Sequence, residues 1–266
     1  MISIEIPTID DKYLRKVLES IRVQTSQNYE VLVIDSSRDY VASDVASEYG
    51  AKVIKEKCGL LKARYILHLN SRGERALLLD STRTLKNNAI EILERSKNDM
   101  EIIAEREVGP GILRGAVDTD RVISFRSAKH RMTEAYVLPR YFKSNVLTNA
   151  FEALKRRLGP DFEKITGEDH KLIFIESKKI SSSIGMIDEP LIFHYGDNTV
   201  SGIFKKAMRY SRSAKIASKY YPEVNVKMMR ELDGLKLREL IPLFVLYAVQ
   251  LSGSALGRII GSGDPY

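Results

Sequence analysis

At 266 residues and 44% apolar content, the chain is long enough for one sizeable α/β domain with an appendage and too apolar for wholesale disorder. Its one cysteine, Cys58, excludes an internal disulfide and a cysteine-rich zinc centre, and fits a reducing compartment. The formal net charge is +7, and ten Lys/Arg against four acids place +6 of it in residues 201–240, so the basicity belongs to a C-terminal segment and not to the main body. The opening MISIEIPTID has neither a basic start nor a long apolar run and predicts no secretory leader.

In chain order, residues 2–6 (ISIEI) predict a strand ending at Pro7. Asp10 or Asp11 then caps a helix whose apolar positions Leu14, Val17, Leu18 and Ile21 have helical spacing. YEVLVID (29–35) predicts a buried strand and AKVI (51–54) a shorter one. A helix from Gly59 to about Leu69 leads into the strand RALLLD (75–80). Residues 85–96 predict a helix and 100–105 a strand. Alternation at this pitch indicates a mainly parallel sheet covered by helices on both faces. After GPG (109–111) the pattern becomes irregular; GEDHKLIFIES (167–177) then predicts a turn opening into a helix, and EPLIFH (189–194) one more strand. No internal repeat is visible.

Ligands of such sheets bind beyond the carboxyl ends of the strands, where Pro7, Thr8, Asp35 and Asp80 fall. With these residues in place, positions 1–200 resemble the family 2 glycosyltransferases. SIEIPTIDDKYLRKVLESIRVQT is similar to that family's opening strand, Pro-Thr turn and first helix, and NYEVLVIDSSRD to its second strand. LLKARYILHLNSRGERALLLDSTRTL resembles its Ala-Arg helix and the strand ending in a DxD metal motif, and GEDHKL its Glu-Asp pair. The resemblance implies a GT-A fold, a Rossmann-like nucleotide-diphospho-sugar transferase domain over 1–200, and leaves residues 201–266 as a C-terminal helical appendage. It also implies roles. Pro7, Thr8 and Asp35 frame the nucleoside, Arg64 faces the diphosphate, Asp80 holds a divalent Mg or Mn ion, and Asp169 is the catalytic base with Glu168 in support.

The motif departs from the family pattern in two places. Ser36 and Ser37 follow Asp35, and the DxD reads Asp80-Ser81-Thr82. A hard cation needs oxygen ligands; one carboxylate with phosphate oxygens and waters holds it more weakly than two. Thr82 would then serve through a coordinated water or by binding a donor hydroxyl. Each acid also has a plainer role: Asp80 and Asp35 as caps of the helices after them, and Glu168-Asp169 as a pair favoured at a helix N-terminus. His194, after the apolar PLIF, is either a hydrogen-bonded structural residue or a late metal ligand of the kind some GT-A enzymes supply.

In residues 201–221, Lys205, Arg209, Arg212 and Lys219 recur on one helical face, as in an interfacial helix beside anionic headgroups. Eighteen uncharged residues follow, 240–257, with Pro242 suited to a first helical turn. Gly253, Gly257 and Gly261 stand four apart, a spacing that lets helices pack closely. A span, an interfacial helix, a packed hairpin and a homodimer contact all fit this tail. Together these features predict an inverting, membrane-associated glycosyltransferase at the cytoplasmic face of the cell membrane. It would take a nucleotide-sugar donor and a glycan or polyprenyl-phosphate acceptor. A catalytically silent GT-A-like scaffold with an eroded DxD is the alternative. Nucleic-acid binding is not expected, because only Tyr210, Tyr220 and Tyr221 lie near the basic segment and an apolar tail follows.

Overall fold

The computed structural model describes residues 1–10, 12–130, 139–225, 232 and 234–260; Asp11 and Gly261 lie outside them. Strand β1 (Ile2–Thr8) is buried along its whole length because β2 (Tyr29–Asp35) and β4 (Arg75–Leu78) flank it, both parallel. Strand alternation sends Ile2, Ile4 and Ile6 into one core layer. There they meet Leu14, Val17, Leu18 and Ile21, the single apolar stripe of α1 (Leu14–Arg22). On the opposite face Glu5 Oε1 lies 2.9 Å from His68 Nδ1 of α3 (Leu60–Leu69). Helix α2 (Val41–Glu48) leads to β3 (Lys52–Lys55), which pairs parallel with β2 at the edge.

Beyond β4 the sheet becomes mixed. β7 (Tyr141–Lys143) is antiparallel to both β4 and β6 (Met100–Glu107). β8 (Ile184–His194) runs parallel to β6, and β5 (Arg83–Leu85) pairs antiparallel with β8. The eight strands lie in the order β3-β2-β1-β4-β7-β6-β8-β5. Two expected boundaries shift for non-local reasons. The helix expected over 85–96 shortens to α4 (Ala89–Glu94), because Arg83–Leu85 is drawn onto Ile192–His194. The strand expected over 189–194 extends back to Ile184, because β6 pairs with both halves of β8 across a break in register between Ile103 and Glu105. Such breaks bend a strand and re-aim its side chains.

The irregular stretch after GPG contains α5 (Arg114–His130) and α6 (Ser144–Leu158). Phe151, Leu154 and Leu158 of α6 share a second core with Leu172, Ile173 and Phe174 of α7 (Asp169–Ile180).

The C-terminal segment is two packed helices. α8 (Val200–Ala217) is capped by Thr199, whose Oγ1 accepts a hydrogen bond from Gly202 N at 3.0 Å. α9 (Leu237–Ile260) begins five residues before Pro242, which therefore lies inside the helix and not in its first turn. The glycine spacing serves this pairing. A Cβ on Gly253 would stand 2.5 Å from the Phe204 carbonyl, and one on Gly257 would strike the Met208 carbonyl. Ser211 Oγ, on α8, donates to the Ser254 carbonyl at 2.7 Å. Leu243 and Leu246 pack with Ile203 and with Leu113, Ala116 and Ile123. The opposite side of α9 is apolar and exposed, with Leu237 at 73%, Phe244 at 67% and Ile259 at 79%. Among the described residues α9 is the one helix long and apolar enough to cross a bilayer.

Candidate active site

The carboxyl ends of β1 and β4 open on a cavity of about 270 Å³. Of the residues singled out from the sequence, Pro7, Thr8, Arg64, Asp80, Thr82, Asp169 and His194 line it, whereas Asp35 and Glu168 do not. Asp35 is fully buried at the end of β2. Its Oδ1 accepts from Ser37 N and its Oδ2 from Ser43 Oγ, each at 2.9 Å, so it ties the turn to α2 while Ser36 lines the cavity.

Arg64 is the pivot. It lies on α3 with its side chain only 1% exposed; Nε donates to Asp169 Oδ2 at 2.5 Å, and Nη2 donates to Asp80 Oδ1. Its partners lie 16 and 105 positions away in sequence, so two distant carboxylates are held to one guanidinium. Arg83 Nη1 takes the other Asp80 oxygen, and Arg140 Nη1 stands 3.6 Å from it. Behind them Glu105, re-aimed by the break in β6, accepts from Arg83 Nε at 3.2 Å, from Arg121 Nη1 at 2.7 Å and from Arg140 Nε. Burial acts to raise the pKa of Asp80, but Arg83, Arg64 and Arg140 overcome it and hold the carboxyl well below its ordinary value. Asp169 is lowered in the same way by Arg64 against its burial. Both are carboxylates at neutral pH.

His170 adjoins Asp169 at the start of α7. Its Nε2 accepts from Arg64 Nη2 at 2.8 Å and from Arg140 Nη1 at 3.0 Å, which puts the ring proton on Nδ1. Burial, Arg64 and Arg140 lower its pKa to about 3, so the ring is neutral. His194, at the end of β8, donates from Nδ1 to Glu107 Oε2 at 2.6 Å and lies 2.8 Å from Arg121 Nη2. Its pKa also falls to about 3, through burial and Arg83. Helix α8 forms the remaining wall with Lys206, Arg209 and Tyr210. The expected boundary at residue 200 thus falls between β8 and a helix that lines the cavity. A second hollow, of about 410 Å³ beside β6 and α5, is lined by Arg106 and Asp118, which already pair with each other.

The donor set fits a divalent cation poorly. The two expected ligands are Asp80 and His194, and Arg83 is tied to both: it is the cross-strand register partner of His194 and an ion-pair partner of Asp80. Both Asp80 oxygens are taken by guanidinium groups, and Thr82 occupies the place of a second acid. No group of three or more His, Cys, Asp or Glu among the described residues is arranged to hold a metal.

Sequence reasoning did not single out Arg83, Arg140, His170 or Lys206. Arg83 had a local signal, an opposite charge three residues after Asp80. His170 stands in the quoted GEDHKL. Arg140 had none, since its partners Glu105 and Asp80 are 35 and about 60 positions away.

No protein-family model and no curated protein matches the chain. Solved structures do. The S. aureus TarS fragment 1–349 in complex with UDP-GlcNAc matches at 14% identity and a TM-score of 0.57, covering 95% of this chain and 81% of that one. The same fragment with UDP matches at 15% and 0.56, covering 97% and 90%. Mycobacterium tuberculosis glucosyl-3-phosphoglycerate synthase, in complex with Mn²⁺, UDP and glucosyl-3-phosphoglycerate, matches at 15% and 0.52, covering 83% and 80%. At such identities the likeness is one of fold, and the fold is that of GT-A glycosyltransferases: a mixed sheet flanked by helices, with a helical C-terminus.

Proposed function

We propose that the chain is an inverting glycosyltransferase that moves a sugar from a nucleotide-sugar donor to an acceptor hydroxyl or phosphate. The observation that carries this reading is Arg64, which joins Asp80 and Asp169 in one cavity at the carboxyl ends of the strands. Similarity of fold to proteins solved with UDP-GlcNAc and UDP supports it.

In this reading the nucleoside lies against Pro7, Thr8 and Ser36, over the turn that Asp35 holds, and Thr82 meets the donor. The diphosphate lies toward Asp80 and the arginines. Asp169 accepts the acceptor's proton as the nucleotide diphosphate departs from the other side of the sugar, with Glu168 supporting its turn. Holding donor and acceptor in line supplies much of the acceleration, and fixed positive charge near the leaving group supplies more.

The exposed apolar side of α9 favours a lipid-borne acceptor, a polyprenyl phosphate or lipid-linked glycan, met at the cytoplasmic membrane face through residues 201–266. The test is transfer itself, with a panel of UDP-, GDP- and dTDP-sugars and polyprenyl-phosphate acceptors in detergent micelles. Asp169→Asn should cut turnover by roughly 10²–10⁴-fold with donor affinity little changed. Donor binding with no hydrolysis or transfer across the panel would sink the enzyme reading in favour of a silent GT-A-like binding protein.

A further inference from the structure

Five cationic side chains line the cavity, Arg64, Arg83, Arg140, Lys206 and Arg209, against two carboxylates, Asp80 and Asp169. Such a surplus of fixed positive charge calls for an anion. The arginines are not loose surface groups. Arg64, Arg83 and Arg140 are each at most 9% exposed, and Glu105, Asp80 and the neutral His170 Nε2 hold their planes in place. Arg64 Nη1 is buried and has no hydrogen-bond partner, although its Nε and Nη2 are both engaged. A buried donor left unpaired is costly, the more so on a charged guanidinium, and an oxygen of a bound anion would satisfy it. Arginine's planar fork also suits phosphate oxygens.

We infer that this chain binds the donor diphosphate without a divalent metal, the cluster of Arg64, Arg83 and Arg140 with Lys206 and Arg209 standing in the metal's place. The inference rests on reading the cavity as a nucleotide-sugar site. Arg83 pairs with Asp80 and is the register partner of His194 across the β5–β8 ladder, and a metal at Asp80 would meet the guanidinium groups of Arg64, Arg83 and Arg140. In the departing step the sugar–oxygen bond breaks with its electron pair on the β-phosphate oxygen. The charge that develops there is met by guanidinium and ammonium N–H groups already in position, and the acceptor's proton goes to Asp169.

Calorimetric titration of the full-length protein with inorganic pyrophosphate, UDP and GDP, in EDTA and again in Mn²⁺, tests this. The expected result is binding of pyrophosphate and at least one nucleotide in EDTA, with affinity within about threefold of that in Mn²⁺. Arg83→Met should weaken it by 10-fold or more. Because that variant leaves Glu105 and Asp80 short of a partner and could misfold, Arg209→Gln, at the exposed mouth, is the second probe and should weaken binding by about 3–10-fold with unchanged melting. Binding seen only with Mn²⁺ overturns the inference and leaves the transferase reading standing. EDTA-resistant binding without sugar transfer supports the anion cluster and removes the enzyme. No binding in either buffer overturns both.

Discussion

Asp169 and Glu168 are neighbours with opposite electrostatic histories. Arg64 holds Asp169 as a carboxylate, while burial, with help from Asp169 and against Lys171, raises Glu168 to about 7 from an ordinary 4.5. Glu168 also has a positive φ of 62°, a left-handed conformation that is uncommon outside glycine and costs on the order of 1 kcal/mol. That strained turn is what starts α7 with Asp169 facing the cavity. The linkage has a definite sign. Between pH 4.5 and about 7 the native state binds the Glu168 proton more tightly than the unfolded chain does, so stability falls as pH rises through this window and levels off above it. Glu168→Gln should therefore be more stable than the parent at pH 8 by about 1–3 kcal/mol, and the advantage should vanish toward pH 4.5. Urea unfolding at the two pH values measures this; equal stability at pH 8 would refute the assignment.

At the scale of elements, α8 has two duties, one wall of the cavity and a seat for α9. Gly257→Val would drive a side chain into the Met208 carbonyl and push α9 off α8. The expected outcome is a melting temperature several degrees lower and nucleotide affinity reduced by about 10-fold, since Lys206 and Arg209 ride on α8, which loses the support of α9. Gly115→Ala on α5 meets open space and serves as the control, neutral or slightly stabilising. Elements with strong local patterns were legible in the sequence: β1, β2, α1, α3 and α7 follow apolar alternation or helical spacing. α6 was legible and overlooked, for Leu147, Phe151, Leu154 and Leu158 repeat at helical intervals. β5 and β7 were not legible, being three residues each and existing only because a distant strand pairs with them. The site divides the same way. Asp80 and Asp169 announce themselves at element ends, whereas the ion network around Glu105 depends on a break in strand register that no local pattern encodes.

For the whole molecule, the distribution of apolar surface makes a prediction about where the protein resides. Ile241, Phe244 and Leu251 of α9 are exposed and lie outside the apolar cluster that Leu243 and Leu246 form with α5 and α8. Replacing the three by serine should leave melting and nucleotide binding intact while abolishing sedimentation with anionic liposomes. The parent should stay bound through a high-salt wash, since buried apolar surface is not screened as charge is. A parent that ignores liposomes and is a stable dimer in buffer would assign the stripe to a second copy of the chain. The arginine cluster has a consequence for the resting protein as well. Burial and the adjacent charges of Arg83 and Arg64 push the Arg140 pKa downward against the pull of Glu105 and Asp80, so the clustered guanidinium groups are a site of local frustration that a bound polyanion would relieve. Mass action then requires polyanions to act as folding ligands. Melting should climb with millimolar pyrophosphate or sulfate far more than with chloride at equal ionic strength, and a phosphate buffer would hide this frustration.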